Sequence, residues 1–168
     1  ITHTVCCLVA GAAPPVAMIE GMEKMGFNIT HVYGLTETYG PAAACDKHEG
    51  VREPPLAEQV ALDGRQGVRY PTLEDLQVAD SRTHEPVPRD GRTLGEVMLR
   101  GNTVMKGYLA NPKATESVFR EGWYHTGDLG RVDEDGYYSI VDRKTDLILV
   151  GGLNVYPREV VKRALELS

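Results

Sequence analysis

Several absences narrow the class of this protein before any motif is read. There is no long apolar run: the longest, Val5 to Ala10, is far too short to cross a bilayer as a helix. No stretch reads as a secretory leader. Lysines and arginines form no long run, and the net charge of −6 repels a nucleic-acid backbone, so no nucleic-acid partner is expected. There are only three cysteines, Cys6, Cys7 and Cys45, with no C-x-x-C pair. Two are adjacent, and adjacent cysteines rarely bridge each other. Buried, reduced thiols in a cytoplasmic protein are therefore expected. Internal repeats and low-complexity tracts are also missing.

The 168 residues amount to about one domain by length, and 42% of them are apolar, enough for a real core. With 25% charged residues the composition is not that of a disordered chain. Ile1 opens inside a strand-like run without a methionine, and Ser168 stops inside a helical pattern, so a piece of a larger protein is expected. No oligomeric state follows from these residues.

"ITHTVCCLVA" is β-branched and apolar and reads as a buried strand. "GAAPP" punctuates it, and Pro15 suits the first turn of a helix in which Val16, Ile19, Met22 and Met25 recur every third position. Gly26 is placed to cap that helix. "FNITHVY" follows as a second strand, completing the strand–helix–strand unit of a mostly parallel sheet. In such sheets ligands collect at the carboxyl ends of strands, where the turns at Gly11 and Gly34 both fall. From Glu49 the pattern changes to short strands, "DLQVAD", "GEVMLRG", "LGRVD" and "YYSIVD", with turns at "RDGR" and "DEDG". Short helices are expected near "MKGYLANP" and "KATESVF". "LILVGG" is a last strand, and "NVYPREVVKRALEL" a helix with Pro157 in its first turn.

The fold class is thus α/β plus β. Residues 1–48 would end a mostly parallel α/β sheet subdomain. Residues 49–141 would form a small antiparallel β subdomain, 142–146 a hinge, and 147–168 the start of an α+β C-terminal domain.

"HVYGLTETYG" combines groups that suit a nucleotide. Tyr33 offers a flat face for a purine. Gly34 allows a bend and a close approach. The Thr36 hydroxyl can donate to a phosphate oxygen, and Glu37 beside phosphate implies Mg²⁺ between them. Taken alone, the motif reads rather as an ordinary strand-to-helix turn with Thr36 as its N-cap. In "GWYHTGDLG", Asp128 stands at the start of a strand and can accept hydrogen bonds from two ribose hydroxyls, or be a solvated turn aspartate. His125 beside aromatics is assigned no role, and Trp123 and Tyr124 read as packing residues. In "IVDRKTDLILVGG", Asp142, Arg143, Lys144 and Asp146 form a mixed-charge patch with the character of a solvated linker. Arg143 is singled out because its guanidinium fork can hold ribose or phosphate oxygens.

In this order, "GAAPP", "YGLTET", "GWYHTGDL" and "DRKTDLILVGGLNVYP" resemble successive signatures of the adenylate-forming superfamily. That superfamily includes acyl-CoA synthetases, firefly luciferase and the adenylation domains of peptide synthetases. The resemblance runs from Gly11 to Val160, takes in "GEVMLRGNTVMKGYLANPKATESVF", and is closest to fatty-acid or other carboxylate–CoA ligases. It implies ATP or AMP, Mg²⁺, coenzyme A and a carboxylic acid as partners. It further implies that Gly11, Ala12 and Ala13 wall one side of the adenine and Tyr33 stacks on the other. Thr36 would touch the α-phosphate, and Glu37 would hold Mg²⁺. Asp128 would clasp the ribose, with Arg143 assisting and Ile140 packing on the sugar. Gly151 and Gly152 would let a hairpin approach the thiol tunnel.

His31, Val32 and Gly40, with the small residues "PAAAC", would line the acyl pocket by the same resemblance. Val32 stands where the family often has glycine and shortens the pocket. This favours a short or medium-chain acid, while an aromatic or thioether acid fits as well. The hinge position, usually lysine or aspartate, falls at Thr145. The family's phosphate loop and its C-terminal catalytic lysine are absent from these residues, so the 168 residues alone are expected to be inactive. Two rival readings are an adenylation domain that loads a carrier protein and a non-catalytic nucleotide-binding module.

Overall fold

A computed structural model describes residues 3–11, 16–45, 65–150 and 153–157, with 160, 161 and 164. Strand β1 (Val5–Val9) runs parallel to β2 (Phe27–Leu35), with Val9 level with His31. Helix α1 (Val16–Lys24) connects them and buries Ile19 against Ile29, with Met22, Cys7, Val9 and Phe27 around them. Gly26 closes the helix as expected, at φ +92°, with its amide on the Glu23 carbonyl. Met25 falls beyond the helix and is exposed.

β1 is an edge of its sheet, and its outward face is open: Leu8 is 72% exposed. Of the three cysteines only Cys45 is buried; Cys6 is exposed and Cys7 half-buried. A strand that reads as apolar on both faces is here covered by α1 on one. β3 (Gly40–Ala44) and β4 (Val68–Arg69) continue this sheet antiparallel to β2.

The second sheet is antiparallel throughout. It contains β5 (Asp75–Ala79), β6 (Gly95–Arg100), β7 (Phe119–Arg120), β8 (Trp123–Val132) and β9 (Tyr138–Arg143). β8 is its spine, pairing with β6 and β9 on its two sides. "GWYHTGDLG" and "LGRVD" therefore belong to a single long strand, and Asp128 lies in its interior rather than at its start. The "DEDG" hairpin forms as expected, with the Gly136 amide on the Asp133 carbonyl and the Tyr137 amide on the Asp133 side chain.

Helix α2 (Pro112–Val118) starts on Asn111, whose side chain accepts from the Ala114 amide, with Pro112 in its first turn. The helix expected over "MKGYLANP" does not form: Gly107 and Ala110 both take left-handed φ values there, which a helix excludes. β10 (Ile148–Val150) and β11 (Leu153–Val155) form a hairpin, so Asn154 and Val155 are strand and the helix begins at Pro157. The main core joins the two sheets. Tyr33, Ala42 and Ala43 pack in one cluster with Leu76, Val97, Leu99, Tyr124 and Tyr138.

Candidate functional site

β2 carries Tyr33, β8 carries Asp128 and β9 carries Arg143. The β8–β9 register sets Asp128 directly opposite Arg143. The inter-sheet core then brings the end of β2 onto β8. The Tyr33 hydroxyl donates to Asp128 Oδ2 at 2.6 Å, and Arg143 Nε lies 3.4 Å from Asp128 Oδ1. Tyr33 and Asp128 are 8% and 4% exposed, whereas most of the Arg143 side chain is in solvent. Burial pushes the Asp128 carboxyl above the usual aspartate value, and the Tyr33 bond and Arg143 charge oppose this. Burial, then the Asp128 charge, raises the Tyr33 phenol well above its ordinary value, so it remains a donor. A carboxylate offers about four lone-pair sites, so Asp128 retains acceptor capacity beyond these two partners.

Leu35 ends β2, and Thr36–Thr38 form a single 3₁₀ turn. The turn is capped from Thr38, not Thr36: Thr38 Oγ1 accepts from the Leu35 amide at 3.0 Å and lies 2.9 Å from the Leu35 and Gly40 carbonyl oxygens. Thr36 is left exposed with its hydroxyl outside the cap. Gly34 is part of β2, at a register shift between Tyr33 and Gly34. Its need for glycine is steric, because a Cβ there would collide with the Gly40 carbonyl.

Glu37 is anchored both by its backbone and by its side chain. Its carbonyl accepts from the Met105 amide at 2.7 Å, and Oε1 accepts from the Tyr108 hydroxyl at 3.0 Å. A cleft of about 550 Å³ is lined by Glu37, Tyr124, Arg143, Lys144 and Thr145, among others. Glu37, Arg143 and Thr145 are thereby brought to one opening, although they come from distant parts of the chain.

The remaining candidates are dispersed. Gly11 follows β1, exposed and at φ +90°, at the same end of the parallel pair as Tyr33. Ile140 is half-buried against the core, its amide bonded to Gln66 Oε1 at 2.6 Å. His31 and Val32 are buried within β2, and Gly40 is exposed at φ +135°. Ala12, Ala13, Gly151 and Gly152 lie outside the described residues.

Trp123 and Tyr124 pack as expected: Arg100 lies over the Trp123 ring at 4.6 Å, and Tyr124 is buried against Phe119. Two side chains escaped the sequence reading. Tyr108 holds Glu37, and nothing in "KGYLAN" marks it. Glu96 is buried on β6, and nothing in "GEVMLR", which carries a second charge at Arg100, marks it.

Residues 2–109 match the family model described as AMP-binding enzyme. The chain belongs to that family. Among family relatives, it is 50% identical over 95% of its length to the acetate–CoA ligase CCL3 of Humulus lupulus. It is 48% identical over 95% of its length to the peroxisomal acetate/butyrate–CoA ligase AAE7 of Arabidopsis thaliana. It spans 28% of either relative's length. The O-succinylbenzoate coenzyme A synthetase of Bacillus subtilis in complex with AMP superposes with a TM-score of 0.78 at 30% identity, over 96% of this chain and 31% of that one. The same enzyme in complex with ATP and magnesium gives a TM-score of 0.76. Among the described residues, no helix is long and apolar enough to cross a membrane.

Proposed function

We propose that this chain is part of an ATP-dependent, AMP-forming carboxylate–CoA ligase. A carboxylate attacks the α-phosphate of ATP, giving acyl-AMP and pyrophosphate. The thiol of coenzyme A then displaces AMP. The observation that carries this reading is the meeting of Tyr33, Asp128 and Arg143, from three separate strands, within hydrogen-bond or ion-pair reach. Likeness to ligases named for acetate and butyrate supports it.

Within this reading Gly11, Ala12, Ala13 and Tyr33 bound the adenine, and Asp128 takes the ribose hydroxyls with Arg143 and Ile140 beside it. Thr36 donates to the α-phosphate from its exposed place on the 3₁₀ turn. Gly151 and Gly152 give the coenzyme A thiol room to approach. The division at residues 48 and 141, and a hinge at 142–146 centred on Thr145, belong to the same proposal, as does a cytoplasmic location.

Glu37 fits a magnesium ion. Its carboxylate is a hard oxygen donor held by one phenol, with no cation paired to it among the described residues. Magnesium keeps several waters and takes one or two carboxylates plus substrate phosphates, which suits a lone acid at a cleft. When bound it would neutralise charge developing on phosphate oxygens. The acid itself is of short or medium chain, since Val32 is bulkier than the glycine the family often has there and shortens the pocket, and the apolar Ala42 and Ala43 suit no charged tail.

The test uses the full-length protein containing this chain, with ATP, Mg²⁺, coenzyme A and acetate, butyrate or benzoate. Acid-dependent pyrophosphate release and a coenzyme A thioester are expected, and butyrate should exceed benzoate. Release of pyrophosphate with none of these or any longer acid would sink the reading. The 168 residues alone should show no ATP–pyrophosphate exchange.

A further inference from the structure

Glu96 is the second residue of β6, a strand whose first five residues are all buried, and is itself 5% exposed. A carboxylate in that setting is costly unless its oxygens are bonded. Oε1 accepts from the Gly127 amide at 3.2 Å. Oε2 accepts from His125 Nδ1 at 3.0 Å and from Lys144 Nζ at 3.3 Å. Because the carboxylate only accepts, Nδ1 of His125 carries the proton. Its Nε2 is buried and unpartnered among the described residues.

His125 and Gly127 both belong to β8, so they hold the carboxylate from inside the sheet. Lys144 comes from just beyond β9. Its amide also donates to the Gly127 carbonyl at 2.8 Å. The segment is thus tied to Gly127 twice, once through the main chain and once through Glu96. Lys144 stands between Arg143, which reaches Asp128, and Thr145, and all three line the cleft that Glu37 borders. The Lys144 side chain is 40% exposed and the Glu96 side chain 6%. One partner is therefore fixed and dry, while the other can leave into water. A contact of that kind holds a segment and can also be released.

We propose that Glu96 is a positioning residue: clamped by His125 and Gly127, its carboxylate anchors Lys144 and so fixes the Arg143–Thr145 segment at the rim of the cleft until Lys144 lets go. The consequence for turnover rests on the ligase reading, in which that segment is the hinge between the two half-reactions. The anchor itself does not.

The test uses Glu96→Gln, Lys144→Met, Lys144→Arg and the Glu96→Gln/Lys144→Met pair in the full-length protein. Hydrogen exchange of the 143–146 amides should quicken by roughly tenfold or more in Lys144→Met, the scale for losing a hydrogen bond to a charged group. Lys144→Arg should restore it, and the double variant should go no further than Lys144→Met. The ratio of acyl-AMP formation to thioester formation should shift in the same direction in Glu96→Gln and Lys144→Met. Because Lys144 is half-exposed, Lys144→Met remains informative even if Glu96→Gln fails to fold. Unchanged exchange in Lys144→Met overturns the anchor, and altered exchange with an unaltered ratio in an active enzyme overturns its consequence for turnover. If the unsubstituted protein activates no acid, the ligase reading fails and the exchange result alone decides the anchor.

Discussion

The Tyr33 hydroxyl donates to the Asp128 carboxylate at 2.6 Å across 95 positions of sequence, and both groups are buried. This bond joins the mixed sheet of β1–β4 to the antiparallel one at the place where the nucleotide is proposed to sit. It also gives Asp128 a duty in folding beside the ribose-binding one proposed for it.

Tyr33→Phe keeps the ring and removes the donor. It leaves a buried carboxylate oxygen with one partner fewer, which costs about 1–3 kcal/mol. Tyr33→Ala also empties the ring's space and should cost about 3–5 kcal/mol. Chemical denaturation of the full-length protein separates the two. If Tyr33→Phe retains affinity for AMP by calorimetry while Tyr33→Ala loses it, the ring is the binding element. Equal affinity in Tyr33→Ala would rule out stacking.

The pH dependence of Asp128 has a definite sign. Burial raises its folded-state value above the ordinary aspartate value of 3.8. Between the ordinary and the raised value the folded state therefore binds more protons than the unfolded chain, so stability falls as pH rises through that window. Asp128→Asn keeps an oxygen acceptor for Tyr33 without the buried charge. It should flatten this part of the stability profile and melt no lower than the parent at neutral pH, while binding AMP more weakly. A lower melting temperature at every pH would show that the charge is net stabilising.

Asp90 has the opposite sign. The Thr93 amide, the Thr93 hydroxyl and the Arg92 amide hold its carboxyl down from 3.8 to about 2. Its contribution is complete above the ordinary value and is lost as pH falls toward about 2. Asp90→Asn should flatten the acid limb of the unfolding curve in that window and leave the neutral region unchanged, as followed by circular dichroism against pH.

Two glycines should respond in opposite directions to alanine. Gly34→Ala drives a Cβ into the Gly40 carbonyl, so β2 and β3 must part, and a loss of about 1–3 kcal/mol follows. Gly21 lies in α1 with open space around its missing Cβ, so Gly21→Ala should stabilise by roughly 0.5–1 kcal/mol. Thermal melts of the two variants check both.

Glu37→Gln keeps the oxygen that Tyr108 bonds and removes the charge. The folded protein should be little altered, while the Mg²⁺ concentration needed for half-maximal acid-dependent pyrophosphate release should rise by roughly tenfold or more, the scale of a lost metal contact. An unchanged requirement would place the magnesium ligand elsewhere.

Much of the fold was legible because its signals are short-range. Gly26 closes α1, Pro157 starts a helical turn, and Asp133 with Gly136 turns the β8–β9 hairpin. The failures have physical causes too. Glycines inside β8 read as strand ends, yet pairing on both sides carries the strand through them. The left-handed residues Gly107 and Ala110 cancelled the helix expected near "MKGYLANP". Thr36 read as the cap, but Thr38 does the capping, because the turn is 3₁₀ and the chain returns at once as β3. As for the site, Tyr33, Glu37, Asp128 and Arg143 were visible as types suited to a nucleotide. Glu96 and Tyr108 were not, because their importance lies in what they touch.

The amino-acid order by itself determined the elements, the turns and the family, since these rest on backbone preferences and residue types within a few positions of one another. Only the tertiary structure decided that Tyr33 meets Asp128, that Arg143 faces it, and that Glu96 is buried between His125 and Lys144. Strand register and sheet packing set those meetings, and they depend on contacts between residues tens of positions apart that no local pattern encodes.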